Sequence, residues 1–145
     1  MGNMNFNSLD RGTIPFVNFE SVLSFIERTD KVGGPTNSSY VIITTIPENG
    51  NVDLLPRIKH TMNSTDEVVI INQCIKESKD ISVIIYGLNN TDASIFKKRE
   101  QLLSFGFTNI QVYLGGLFEW ALLQDIYGED MFQTTHSVND ILKLK

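Results

Sequence analysis

The chain has one cysteine, Cys74, so no intrachain disulfide can brace it. A fold without disulfides suits a reducing compartment, and the expected location is the cytoplasm. No apolar run approaches the roughly 20 residues that cross a bilayer as a helix. Met1 to Asp10 are polar and Asn-rich, without the charged-then-apolar pattern of a signal peptide. The Met1-Gly2 start invites a myristoylation reading, but Phe6 stands where Ser or Thr is required. Residues 1–12 are expected to be a flexible terminus. Positive charge is also scarce: 12 Lys and Arg stand against 17 Asp and Glu, a net charge of −5. That balance argues against nucleic acid or an anionic membrane as partner, because both are gripped by clustered cations. The one dense basic run, Lys97-Lys98-Arg99, reads as a solvated helix face. Only two histidines occur, His60 and His136, far apart and without a second ligand at metal spacing, so no metal and no cofactor are expected.

What is present suits one globular domain. The 145 residues are 41 % hydrophobic and 20 % charged, enough for one core and short for two. Asn and Ile are heavily used, a bias that fits an AT-rich genome such as a protist's or a large DNA virus's. Extended and helical periods alternate. Thr13 to Val17 opens as a short extended stretch, and Asn18 can cap a helix whose Phe19, Val22, Leu23 and Ile26 share one face. Gly33-Gly34-Pro35 ends it. Tyr40 to Thr45 and Ile81 to Tyr86 are β-branched runs of the kind buried on both faces, and Asn109 to Leu114 is a third strand. Pro47 to Lys59 is irregular, with turn chemistry at Glu48 to Asn51.

Between these strands lie three further helices. Ser64 and Glu67 form a capping-box pattern ahead of a stripe of Val68, Ile71 and Ile75, with Ile70 and Cys74 beside it. A helix capped at Thr91 or Asp92 turns Ile95, Leu102 and Phe105 inward, with Gly106 as the left-handed residue past its end and Phe107 packing back. Leu117 to Tyr127 is apolar almost all round and calls for cover on more than one side, from the tail or from a second copy. The spacing of Val138, Ile141 and Leu142 predicts that the tail folds back onto the domain. The expected fold class is α/β: one domain over residues 13–145, with a mostly parallel central sheet and helices on both faces.

The block from strand Val83-Ile84-Ile85-Tyr86, through a loop and a helix ending at Phe107, to strand Asn109 to Leu114 and Gly115-Gly116-Leu117-Phe118-Glu119-Trp120 resembles the second half of a rhodanese domain. Phe118 to Gly128 followed by Phe132-Gln133-Thr134-Thr135 resembles a rhodanese-like subgroup of protists and giant viruses. Tyr40 to Thr45 stands where that family's first core strand lies, with Thr44 and Thr45 in place of its acidic residue and arginine. Leu54 to Met62 matches its next segment with a glycine replaced.

The resemblance implies a thiolate first in the loop after the second core strand, held among backbone N–H groups at a helix start. That position is Gly87, and the loop Gly87, Leu88, Asn89, Asn90, Thr91, Asp92 holds neither Cys nor Arg. The loop is therefore vestigial and no catalytic residue is expected in it. Asp92 adds a carboxylate at the anion-friendly end of the helix. The expected function is a non-catalytic rhodanese-like binding module, its partner a protein or a second copy. The alternative is a sulfurtransferase or persulfide carrier using Cys74, which otherwise reads as a core cysteine. A third possibility is that the loop still holds a small anion. Thr91 and Ser94 have no visible base and read as caps, and Glu119 as a carboxylate bound to backbone or arginine.

Overall fold

Three of the strands form where the chain is apolar on both faces, because such segments are stable only when covered on both sides. A computed structural model describes residues 13–48, 55–77 and 80–145. The expected flexible terminus lies outside those residues, as does most of the turn expected at Glu48 to Asn51. In chain order the elements are β1 (Phe16–Val17), α1 (Phe19–Lys31), β2 (Tyr40–Thr44), α2 (Ser64–Lys76), β3 (Ser82–Tyr86), α3 (Ser94–Ser104), β4 (Ile110–Tyr113) and α4 (Gly116–Tyr127). Single 3₁₀ turns occur at Pro35–Asn37 and Ile141–Leu144.

The sheet order is β1-β4-β3-β2 and every pairing is parallel. Its register sets Ile42 against Ile84 and Ile85 against Val112. Side chains alternate across a strand, so each strand supplies both faces. Ile42, Ile84, Tyr86 and Tyr113 join α1, α4 and the tail in one core, while Val41, Ile43, Val83, Ile85 and Val112 join α2 and α3 in the other. The chain is thus a small α/β domain with an all-parallel sheet and helices on both faces, the expected class.

Local chemistry sets the helix ends. The Asn18 side chain accepts the Glu20 amide at 2.9 Å and starts α1. α2 starts one residue earlier than the capping-box pattern suggested: Asn63, not Ser64, is the cap, accepting the Asp66 amide at 2.8 Å. α3 ends in a Schellman turn. Gly106, at φ 99°, sends its amide to Leu103 O, and Phe107 sends its own to Leu102 O. Phe107 is buried as expected, but Phe105 is exposed, because the turn carries it off the inward stripe.

Two further expectations on the helix faces are corrected. In α2 the inward residues are Ile70, Ile71 and Cys74, while Val68 and Ile75 are exposed. Both sets have helical spacing. The observed one also carries Glu67 to Lys98 of α3, with Nζ and Oε2 2.5 Å apart. Lys98 is therefore no part of a solvated face, and Arg99 Nε is buried without a hydrogen-bond partner among the described residues. In α4 the cover is one-sided. Leu117, Trp120, Ala121 and Gln124 are buried, whereas Leu122, Ile126 and Tyr127 are exposed.

The tail does fold back over α4. Phe132 is buried with its ring 5.0 Å from Trp120, Trp120 Nε1 donates to Gln133 O, and Gln124 Nε2 donates to Phe132 O. Leu144 is fully buried, but Leu142 is exposed, since a 3₁₀ turn rather than an α-helix forms there.

Trp120 has no exposed surface and touches both the sheet, through Tyr113, and the tail, through Phe132. Trp120→Ala is expected to cost about 3–5 kcal/mol, the range for emptying an aromatic site in a core. Urea denaturation followed by far-UV circular dichroism measures it. An unchanged midpoint would mean that the tail does not rest on this ring.

Candidate functional site

The C-terminal ends of parallel strands are where α/β domains place their sites, because loops gather there and helix starts point at them. β3 is central, and its last residue, Tyr86, is fully buried. Its hydroxyl accepts the Ile58 amide at 3.1 Å and lies 2.7 Å from the Thr61 hydroxyl. Its carbonyl accepts from the Thr44 hydroxyl and the Thr45 amide. The loop after β3 therefore leaves from a fixed point.

The loop Gly87, Leu88, Asn89, Asn90, Thr91, Asp92 closes on itself. Asp92 Oδ2 accepts the Leu88 amide at 2.9 Å, and Oδ1 accepts the amide and hydroxyl of Ser94 at 3.1 and 2.5 Å. Asn89 Oδ1 accepts from the Thr91 amide and hydroxyl, while Asn89 Nδ2 donates to Leu144 O at 2.9 Å. From the far side, α4 aims its first amides at the loop: Leu117 N–H at Gly87 O and Phe118 N–H at Leu88 O. This approach requires Gly116. Its φ is 68°, and a Cβ there would stand 2.6 Å from Gly87 O.

A side chain at Gly87 would have to displace that of Asp92. A Cβ would stand 2.5 Å from Asp92 Oδ2 and 3.0 Å from Ile95 Cγ2. The carboxylate thus occupies the space into which a residue 87 side chain would project. Burial pushes the Asp92 carboxyl up. The hydrogen bonds from Ser94 and the Leu88 amide outweigh that and hold it below the ordinary aspartate range. A carboxylate so held is a poor base, so its contact with Ser94, which was not foreseen, does not activate that hydroxyl. Ser94 is instead a tie: its Oγ lies 2.7 Å from Thr45 Oγ1, linking α3 to the end of β2.

Cys74 lies away from this loop. It is half-buried beside Ser38, Ser39 and Ile81, which precede β2 and β3. Those are the N-terminal ends of the strands, and five-residue β3 separates them from the loop by roughly 16 Å. Burial, reinforced by the Glu77 charge, pushes its thiol up, away from thiolate character. The histidines are apart too: His60 Nε2 sits 2.6 Å from Asp30, and His136 lies beside Thr135. Among the described residues the Glu119 carboxylate meets not backbone or arginine but the Tyr113 phenol, whose oxygen lies 2.6 Å from Oε1. Burial of Tyr113, aided by this carboxylate, pushes its hydroxyl up, so it is a fixed donor.

Beside the loop, a cleft of about 730 Å³ opens between α2 and α3 at the end of β2. Sequence reading missed it, because its walls come from segments distant along the chain. No family model matches the sequence, and no curated protein does.

Two measurements test the filled loop. Gly87→Ala is expected to destabilise by about 1–3 kcal/mol through overpacking, and by much less in an Asp92→Gly background. Equal costs in both backgrounds would mean that Asp92 does not hold that space. A carboxyl lowered on folding stabilises the fold above its unfolded value, and that share is lost as pH falls through the folded value. The stability gap between wild type and Asp92→Asn should therefore be widest near neutrality and shrink below about pH 4. Chemical denaturation at a series of pH values reads it.

Proposed function

We propose that the chain is a rhodanese-like binding module in which the nucleophile loop has become a self-filled structural turn. The observation that carries this reading is the Asp92 carboxylate, 2.5 Å from where a Cβ on residue 87 would be. In the family that the sequence resembles, the thiolate stands at that place. Here the position has no nucleophile, any side chain there would have to displace Asp92, and the loop amide of Leu88 is spent on the protein's own carboxylate. The parallel sheet, the loop between β3 and α3, and the glycine that lets α4 approach that loop support the resemblance.

Recognition without group transfer is what such a scaffold can still do, and the partner we assign is a protein or a second copy of the chain. Leu122, Ile126 and Tyr127 on the uncovered side of α4 support this, as apolar groups exposed together. The alternative, sulfur transfer through Cys74, is disfavoured by the burial of that thiol and by its place at the opposite end of the sheet.

The test is transfer of sulfur from thiosulfate to cyanide. Deleting the covalent nucleophile removes the route entirely, so the expected rate equals the protein-free blank and is unaffected by Cys74→Ser. Turnover above the blank that Cys74→Ser abolishes would overturn the reading in favour of a Cys74 carrier.

A further inference from the structure

The cleft beside the loop is lined by none of residues 87–92, and takes from α3 only Ser94, Lys97, Lys98 and Gln101. Its volume lies within the roughly 300–1,000 Å³ typical of small-molecule sites. It is also pinned open by bonds that cross it. Lys98 of α3 pairs with Glu67 of α2, Ser94 meets Thr45, and the Ser64 amide donates to Glu48. Arg57 Nη2 donates to Ile46 O at 3.0 Å, fixing the remaining wall. Ligand sites are mostly preformed in this way.

The charges in the cleft are uneven. Arg57, Lys97 and Lys98 face Glu48 and Glu67, which leaves one positive charge in excess in a chain whose net charge is −5. Both carboxylates are engaged, Glu67 by Lys98 and Glu48 by the start of α2. Lys97 forms no ion pair among the described residues; Arg57, whose charge also acts on Glu48, places one nitrogen on a carbonyl and carries five donors in all. Beside these cations Met62 is buried, and Ile46, Pro47 and Val68 add apolar wall.

From this arrangement we infer that the cleft binds a small organic anion, a carboxylate or phosphate monoester borne on an apolar body. The anionic group lies between Arg57 and Lys97, and the body packs against Met62 and Val68. The guanidinium fork matches either oxyanion. This assignment stands on the cleft alone, so it survives or fails independently of whether the chain is rhodanese-like.

The experiment is an NMR titration of the full ¹⁵N-labelled chain with benzoate and with phenyl phosphate, using benzyl alcohol as the uncharged control. At least one anion should bind saturably, with Kd below about 1 mM. The amides of Thr45, Val68, Ser94 and Gln101 should move, and the stronger probe distinguishes a carboxylate from a phosphate ligand. Lys97→Glu should weaken binding roughly tenfold or more, and so should Val68→Asp. Both residues are exposed, so neither change should unfold the chain. Any of three results would overturn the inference: no saturable binding of either anion, equal binding of benzyl alcohol, or affinity unchanged in both variants. Shifts centred on residues 88–91 would also overturn it, by moving the anion into the loop.

Discussion

Tyr86 and Gly87 are where four separate parts of the chain are tied together. The Tyr86 hydroxyl is held by the segment around Ile58 and Thr61, and its carbonyl by Thr44 and Thr45 at the end of β2. The next carbonyl, that of Gly87, takes the Leu117 amide in the first turn of α4. A buried polar group that loses its partner costs about 1–3 kcal/mol, so several such bonds on two adjacent residues leave little freedom in how these segments meet. The segment around Ile58 and Thr61, the end of β2 and the start of α4 are thereby fixed to one another at this end of β3.

The same constraint explains why glycine is needed twice at the junction, for different reasons. At Gly116 the backbone is left-handed and a carbonyl lies against the position of a missing Cβ. At Gly87 the obstacle is a side chain, the Asp92 carboxylate, and that one could move at the cost of its hydrogen bonds. The first glycine is required by the path of the backbone, the second by the contents of the loop. Only the second depends on a side chain, because the Asp92 carboxylate fills the space beside it.

Much of the fold was legible because its strongest signals are local. Runs such as Val83 to Tyr86 have no polar face to show solvent, so a doubly covered parallel sheet follows from composition and spacing. Gly106 and Phe107 announced the end of α3 for the same reason. The errors fall where two local patterns compete. Val68, Ile71 and Ile75 make as good a helical stripe as Ile70, Ile71 and Cys74, and only the Glu67–Lys98 pair, across two helices, favours the second. Leu122 and Ile126 looked as buried as Leu117, but the tail has one short turn and covers one side. At the loop, the absence of Cys and Arg could be read directly. The folding of Asp92 over Gly87 could not, since a contact four residues beyond Leu88 depends on how the turn closes. The cleft was invisible because Thr45, Arg57, Glu67 and Lys97 meet only through the sheet.

A carboxylate tethered a few residues from the amide it binds acts at an effective concentration of millimolar or higher, without the entropic cost of capturing a free ion. An external anion must therefore displace Asp92 before it can reach the Leu88 and Ser94 amides, losing three existing hydrogen bonds in the process. The Leu88 and Ser94 amides are in this sense already liganded by the chain's own carboxylate. Ser94 extends the effect outward. With its hydroxyl on Asp92 and its oxygen against Thr45, the filled loop fixes one edge of the neighbouring cleft. The Asp92 carboxylate thereby also holds in shape the adjacent surface, where Lys97 forms no ion pair among the described residues.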